Sequence, residues 1–206
     1  LSRQATSFVL GYHGCERDVG LQALAGRTQI LQSDRDFDWL GPGAYFWEGD
    51  PRRALEWAKD KPGKAYAEPF VVGPIIDLGN CLDLTYRENM PFLHMAHRAL
   101  EENLAASGTP MPVNRNPKDT SGDKALRKLD CAVIRQLHRI IERQPDGGLP
   151  GLGKVLPFDS VRGMFREGQP VYPGGEFFEK SHTQIAVRSS FRIKGVFLPP
   201  EFYPQD

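Results

Sequence analysis

The chain has 206 residues, 26 of them basic and 26 acidic, so no net charge draws it towards nucleic acid or an anionic membrane. With 40% apolar residues it can bury the core of one sizeable domain, and no apolar run is long enough to be a membrane span. Three scattered cysteines, Cys15, Cys81 and Cys131, give neither a metal spacing nor a disulfide framework, and with no signal peptide at the start the expected setting is cytoplasmic.

From residue 8 an apolar, strand-like run leads into Gly11-Tyr12-His13-Gly14. Glycine has no Cβ, so a ligand can approach the Gly14 N–H and C=O closely. His13 adds a polar tip that can hydrogen-bond a hydroxyl. Residues 17–25 suggest a short helix that ends at Gly26. Residues 34–39 are acidic and aromatic and read as a loop, in which Phe37 and Trp39 either touch a ligand or pack on the surface. Gly41-Pro42-Gly43 marks a turn. The strand behind it carries Tyr45, a stacking surface with a hydroxyl, and then Phe46 and Trp47. Each of these residues also has a plain structural use, as a core histidine, a core aromatic or a turn glycine.

Residues 87–106 have helical periodicity, with Phe92, Met95, Ala96, Leu100 and Leu104 on one broad face. A polar loop of unusual length follows at 107–122. A second helix is predicted from about 123 to 143, with Leu126, Leu129, Val133, Ile134, Leu137 and Ile141 as its apolar stripe. Its polar positions include Lys124, Arg127, Lys128, Arg135, Arg139 and Arg143. They form either a solvated face or a contact surface for RNA, DNA or an acidic partner. Asp130 and Glu142 dilute that charge, and aromatic residues for base stacking are absent. Together the two helices read as an insertion at about 84–146.

After a Gly/Pro-rich linker at 144–153, Arg162 is either a bidentate donor to a phosphate or half of a salt bridge. Glu167 is either a general base or a salt-bridge partner. Residues 181–188 alternate like a strand, with His182 and Gln184 on one face and Ile185 and Val187 on the other. A last strand falls at 191–199. No Gly-x-Gly-x-x-Gly follows a strand, which argues against dinucleotide use in hydride transfer.

Taken in order, Tyr12-His13-Gly14, the run GPGAYFWEGDPRRALEWA at 41–58 and PFVVGPIIDLGN at 69–80 resemble the ADP-ribosyltransferase superfamily. The resemblance is to its diphtheria-toxin and poly(ADP-ribose) polymerase branch, whose signature is His–Tyr–Glu. It covers roughly residues 8–83 and a strand pair near 182–198, and the middle of the chain does not share it. It implies an α+β fold, a split β-sandwich of two packed, mostly antiparallel sheets. The whole of 1–206 would be one domain, interrupted by the helical insertion. NAD would lie between the sheets as co-substrate, with no metal. It also implies a helix at 52–59 and a strand at 71–80.

By the same resemblance, His13 binds the adenosine ribose of NAD, Gly14 holds the nicotinamide carboxamide through its main chain, and Tyr45 stacks on the nicotinamide. A second aromatic closes the sandwich, either Trp57, one residue later than the family's tyrosine, or Tyr66. Gln184 stands where the family has the catalytic Glu. A neutral amide can hydrogen-bond a ribose hydroxyl but brings no negative charge to a developing cation. Glu176 and Glu179 lie in the preceding loop, and Glu179, the nearer, either supplies that charge or is a solvated carboxylate. His182 falls where related enzymes contact the acceptor, and Arg162 can hold a pyrophosphate or an acceptor phosphate.

The activity implied is mono-ADP-ribosyl transfer from NAD to a protein or nucleic acid. The bacterial toxin or effector role also implied carries a cognate antitoxin or inhibitor as partner. The alternatives are an NAD glycohydrolase and an inactive module that binds NAD or ADP-ribose.

Overall fold

The computed structural model describes residues 8–60, 65–116, 126–144, 148–149 and 151–203. The chain is mixed α+β. Its strands are β1 (Phe8–Glu16), β2 (Ala44–Glu48), β3 (Pro69–Asp77), β4 (Cys81–Asp83), β5 (Asn114–Arg115), β6 (Leu126–Arg127), β7 (Ser160–Phe165), β8 (His182–Val187) and β9 (Ile193–Phe197). Its helices are α1 (Arg17–Leu24), α2 (Pro51–Asp60), α3 (Met90–Ala106) and α4 (Lys128–Glu142). Seven strands form one sheet in the order β4-β7-β8-β2-β1-β3-β9, while β5 and β6 make a small ribbon. All neighbours in the large sheet run antiparallel except β4 with β7.

The sheet is narrowest at its centre. β1 and β2 share only the pairs Gly11↔Glu48 and Tyr12↔Trp47. These are the two residues of β1 at which its pairing with β3 is interrupted. Three strands lie on one side of this seam and four on the other. The sequence led us to expect two separate packed sheets; the strands instead stay joined through the seam and part beyond it, at His13.

Strand alternation sends successive side chains to opposite faces. On one face Phe46, Val72, Ile76, Ile185 and Val187 pack with Cys15 and with Ala23 of α1. The other face carries two helical layers. Beside β1, α2 covers Tyr12, Trp47 and Val71. Asp50 Oδ1 accepts the Arg53 N–H at 2.9 Å and so caps α2, with Pro51 at its first position. The helix sits unusually close to the sheet because Ala54 and Ala58, one turn apart and both fully buried, face Gly14. A Cβ on Gly14 would stand 2.3 Å from the Ala54 carbonyl oxygen.

Beside β7 and β8, the α3–α4 hairpin contributes Ala96, Leu100, Val133, Ile134, Leu137 and Ile141 to the core over Leu82, Val161 and Ala186. Each Val, Leu or Ile among them stabilises the fold by about 1.5–3 kcal/mol relative to its exposed state. From Leu129 onward the stripe expected from periodicity is the observed one, and the hairpin forms a full layer over the sheet. Helix α4 starts at Lys128, while Leu126 and Arg127 belong to the ribbon. Lys124 lies outside the described residues, as do 117–122 of the long loop.

The basic face of α4 meets the acidic loop of the same chain. Arg135 pairs with Asp34, Lys128 with Asp36, and Arg135 Nη2 also donates to the Arg35 carbonyl at 3.1 Å. Arg127 lies over the rings of Phe165 and Trp39, 3.8 and 5.0 Å from their centroids. Two runs of opposite charge, ambiguous in sequence, therefore fasten residues 34–39 onto α4.

His138 of α4 is 5% exposed and neither of its ring nitrogens has a hydrogen-bond partner. Burial, with Arg188 nearby, pushes its pKa down to about 3. An unfolded histidine takes up a proton near pH 6.5. Between that value and about pH 3 the unfolded chain binds the proton and the folded chain does not. His138 therefore leaves stability intact above the unfolded pKa and erodes it on acidification, by about 1.4 kcal/mol per pH unit. Buried His182, also shifted down, acts in the same direction. Thermal melts from pH 8 to pH 4.5 should show the fall, and His138→Phe should flatten it; equal slopes would refute this assignment.

Candidate functional site

The helix-covered face of the sheet carries the residues of chemical interest, in the interval between α2 and α4. Pairing of β2 with β8 sets Trp47 against Gln184 and Tyr45 against Ala186. Pairing of β8 with β7 sets Gln184 against Gly163 and His182 against Phe165. Trp47, Gln184 and His182 therefore look out of the same side, as the alternation of 181–188 suggested for His182 and Gln184.

Trp39 completes this side. The 34–39 loop, held to α4, delivers its indole over Gly163, where a Cβ would be 2.8 Å from Trp39 Cη2. Trp39 Nε1 donates to Gln184 Oε1 at 2.7 Å, and its ring meets Phe165 edge-on at 5.3 Å. Phe165 in turn stacks on His182 at 5.5 Å. Trp39 is thus fixed by contacts from three elements, and it fixes the orientation of the Gln184 amide. Replacing Trp39 by Phe keeps most of the packing and leaves the Gln184 oxygen without this donor. It should cost about 1 kcal/mol of stability, read by denaturant melts; an unchanged midpoint would mean that the bond carries no weight.

The aromatic row continues outward along α2. Trp47 lies 5.6 Å from Trp57, and Trp57 lies 6.2 Å from Tyr66. Both candidates for a second aromatic are therefore at the site, arranged in sequence from Trp47.

A polar cluster adjoins this row. Arg53 Nη2 donates to both oxygens of Glu167, at 2.7 and 2.8 Å. The same carboxylate stands 3.7 Å from His182 Nδ1. His182 Nδ1 is 2.6 Å from the Lys180 carbonyl oxygen. A carbonyl only accepts, so the proton is on Nδ1 and Nε2 is left as the acceptor. Burial, aided by the Arg53 charge, lowers the His182 pKa and keeps the ring neutral. Trp47 Nε1, Arg53 Nε and His182 Nε2 are all buried without a hydrogen-bond partner. Buried polar atoms are nearly always paired, so unpaired ones gathered at one place mark a candidate site for a polar ligand group.

The other expected site residues are placed as follows. His13 Nδ1 meets the Tyr45 carbonyl oxygen at 2.9 Å, across the parting of β1 and β2. Its ring lies 5.8 Å from Phe46, on the face opposite Gln184. Gly14 pairs with Val71 in β3, and its Cα hydrogen is turned to α2. Gly41, at φ +78°, makes the turn before β2. The Tyr45 hydroxyl closes that turn, donating to the Gly41 carbonyl at 2.8 Å and accepting from the Leu40 N–H at 3.0 Å. Burial and nearby Asp38 hold its pKa well above the ordinary tyrosine range. The Tyr45 ring packs against the α3–α4 core, so the aromatic faces at the cluster are those of Trp47 and Trp57.

Arg162 is occupied by carboxylates, Nε and Nη2 donating to Glu48 at 2.6 and 3.2 Å and Nη1 to Asp83 at 2.8 Å. It pairs with Ile185 and so lies on the face away from Gln184. That is the salt-bridge reading of Arg162, and the same reading holds for Glu167. Glu179 is exposed in the loop before β8, with its N–H on the Gln169 carbonyl. The carboxylate at the cluster is Glu167. A separate open recess of about 470 Å³ lies at the far end of β8, between Arg188, Glu142 and Phe158.

Sequence reasoning missed Trp47 and Arg53. Trp47 was signalled by its place two residues beyond Tyr45 on a strand, and Arg53 by its place in the first turn of a capped helix. Neither the protein-family models scanned nor the curated proteins searched match this chain.

Proposed function

We propose that the chain is an NAD-dependent mono-ADP-ribosyltransferase acting on a macromolecular acceptor. One observation carries the reading. Strands β1, β2 and β8, which bear His13, Tyr45 and Gln184, are neighbours at the centre of the sheet, and the sheet parts beside His13. The aromatic row of Trp47, Trp57 and Tyr66 adds stacking surface for a flat ring on the Gln184 side.

In the proposed reaction the bond between the nicotinamide nitrogen and the ribose carbon breaks, and its electron pair leaves with neutral nicotinamide. The acceptor's nucleophile forms the new bond to that carbon and gives up its proton. With Oε1 engaged by Trp39, Gln184 presents its NH2 to a ribose hydroxyl oxygen. Gln184 brings no charge, and Glu167, the carboxylate at the cluster, is bound to Arg53 by two hydrogen bonds. Exclusion of water by the aromatic row favours transfer over hydrolysis.

The uncharged Gln184 also favours a second reading, a module that binds NAD or ADP-ribose without turnover. Nicotinamide release from NAD separates the two. Release is expected from the wild type, and Gln184→Ala should lower it about 100-fold, comparable to losing one transition-state donor. NAD binding without release would select the module, and release without labelling of a macromolecule would select a glycohydrolase.

A further inference from the structure

We infer that Arg135 of α4 is a positioning residue for Gln184, acting through the loop that carries Trp39; its effect on catalysis rests on the transferase reading. Arg135 stands in the helical hairpin, outside the residues that carry the resemblance. Its guanidinium is held along two edges. Nε donates to Cys131 Sγ, one helical turn earlier, at 3.2 Å. Nη2 meets both Asp34 and the Arg35 carbonyl, the latter at 3.1 Å. That carbonyl is a hub, since Cys131 Sγ also donates to it at 3.4 Å and the Asp38 N–H at 3.3 Å. Asp38 Oδ2 in turn accepts the Arg35 N–H at 2.7 Å, so the residues gripped by α4 are also closed on themselves.

Polar contacts hold this stretch in place. Residues 34–36 are exposed, Phe37 and Asp38 are half-buried, and Trp39 is the first side chain of the loop to enter the core. Trp39 therefore hangs between two anchors. On one side Arg135 grips Asp34 and Arg35, and on the other the Tyr45 hydroxyl accepts the Leu40 N–H at 3.0 Å. The indole between them donates to Gln184 Oε1 at 2.7 Å. A shift of the loop by about 1 Å would take this donor out of hydrogen-bond range and free the amide to turn over, presenting its oxygen where its NH2 had been. The second ion pair, Lys128 with Asp36, joins two exposed side chains and is too well screened to hold the loop alone. Lysine at 135 could answer Asp34 but has no Nε–H for Cys131 and no planar fork to span both contacts.

The test follows NAD turnover and the Trp39 indole N–H resonance, assigned with Trp39→Phe, side by side in the full chain. Arg135→Gln should move the resonance towards that of a solvent-exposed indole. It should also lower kcat for nicotinamide release about tenfold while KM for NAD stays within about twofold, because the fault lies in the reacting geometry and not in binding. Arg135→Lys should restore part of both. Asp34→Asn, which alters an exposed side chain and keeps the fold, should act in the same direction, and the double variant Arg135→Gln, Asp34→Asn should lose no more than Arg135→Gln alone. Arg139→Gln removes the same charge from an exposed position of α4 and should alter neither readout. Movement of the Trp39 resonance in Arg135→Gln, in a protein whose wild type does not turn over NAD, supports the positioning of Gln184 and removes the transferase reading. A resonance unmoved in both folded single variants overturns the positioning role, and turnover by the wild type then leaves the transferase standing. A moved resonance with kcat unchanged overturns it as well.

Discussion

Replacement of Gly14 by alanine is expected to lower the melting temperature by roughly 6–12 °C, from a loss of about 3 kcal/mol in a chain of this size. The added methyl would lie 2.3 Å from the Ala54 carbonyl oxygen and 3.0 Å from the Ala58 Cβ. The first of these is backbone inside a helix and cannot turn aside as a side-chain tip can. Helix α2 must therefore lift from β1, carrying Arg53 and Trp57 away from Trp47. The same substitution should also abolish nicotinamide release. Gly195→Ala is the control, since its Cβ would meet nothing within 4 Å and its φ is ordinary; it should leave the melt within about 0.5 kcal/mol of wild type. An unchanged melt for Gly14→Ala would mean that α2 does not rest on β1 as described.

Loss of Glu167 is the second large effect. Its carboxylate takes two hydrogen bonds from Arg53, whose side chain is only 12% exposed. A buried pair contributes little over an apolar replacement, but removing one partner strands the other charge away from water. Breaking a fully buried pair costs about 3–5 kcal/mol, and since Glu167 retains some contact with solvent, Glu167→Ala should cost about 2–3. The double variant Arg53→Met, Glu167→Leu should recover most of that stability while remaining inactive. Denaturant midpoints for Arg53→Met, Glu167→Leu and the double give the coupling directly. Additive losses would show that the two side chains act separately.

The sequence made local structure legible wherever periodicity and punctuation agreed. The stripe through Val133, Ile134, Leu137 and Ile141 is the buried side of α4, and the helix that the resemblance implied at 52–59 is α2. Alternation also placed His182 and Gln184 on one face. What it did not carry was the pairing between distant segments. That Asp34 and Asp36 answer Arg135 and Lys128 depends on a loop folding back about 100 positions earlier in the chain. That Trp39 reaches Gln184 depends on Gly163 leaving room for an indole. Glu167 was weighed as a surface salt bridge; its partner, Arg53, was invisible because it lies 114 positions earlier in the chain. Tyr45 drew notice as a bare stacking surface, whereas its hydroxyl closes the turn that introduces it.

The most direct test is transfer of labelled ADP-ribose from NAD into macromolecules of a cell lysate, split between protease and nuclease treatment, for wild type, Trp39→Phe and Gln184→Ala. The expected result is label that survives one treatment and not the other, is reduced in Trp39→Phe and is nearly lost in Gln184→Ala. Neither label nor free nicotinamide from the folded wild type would contradict the transferase assignment.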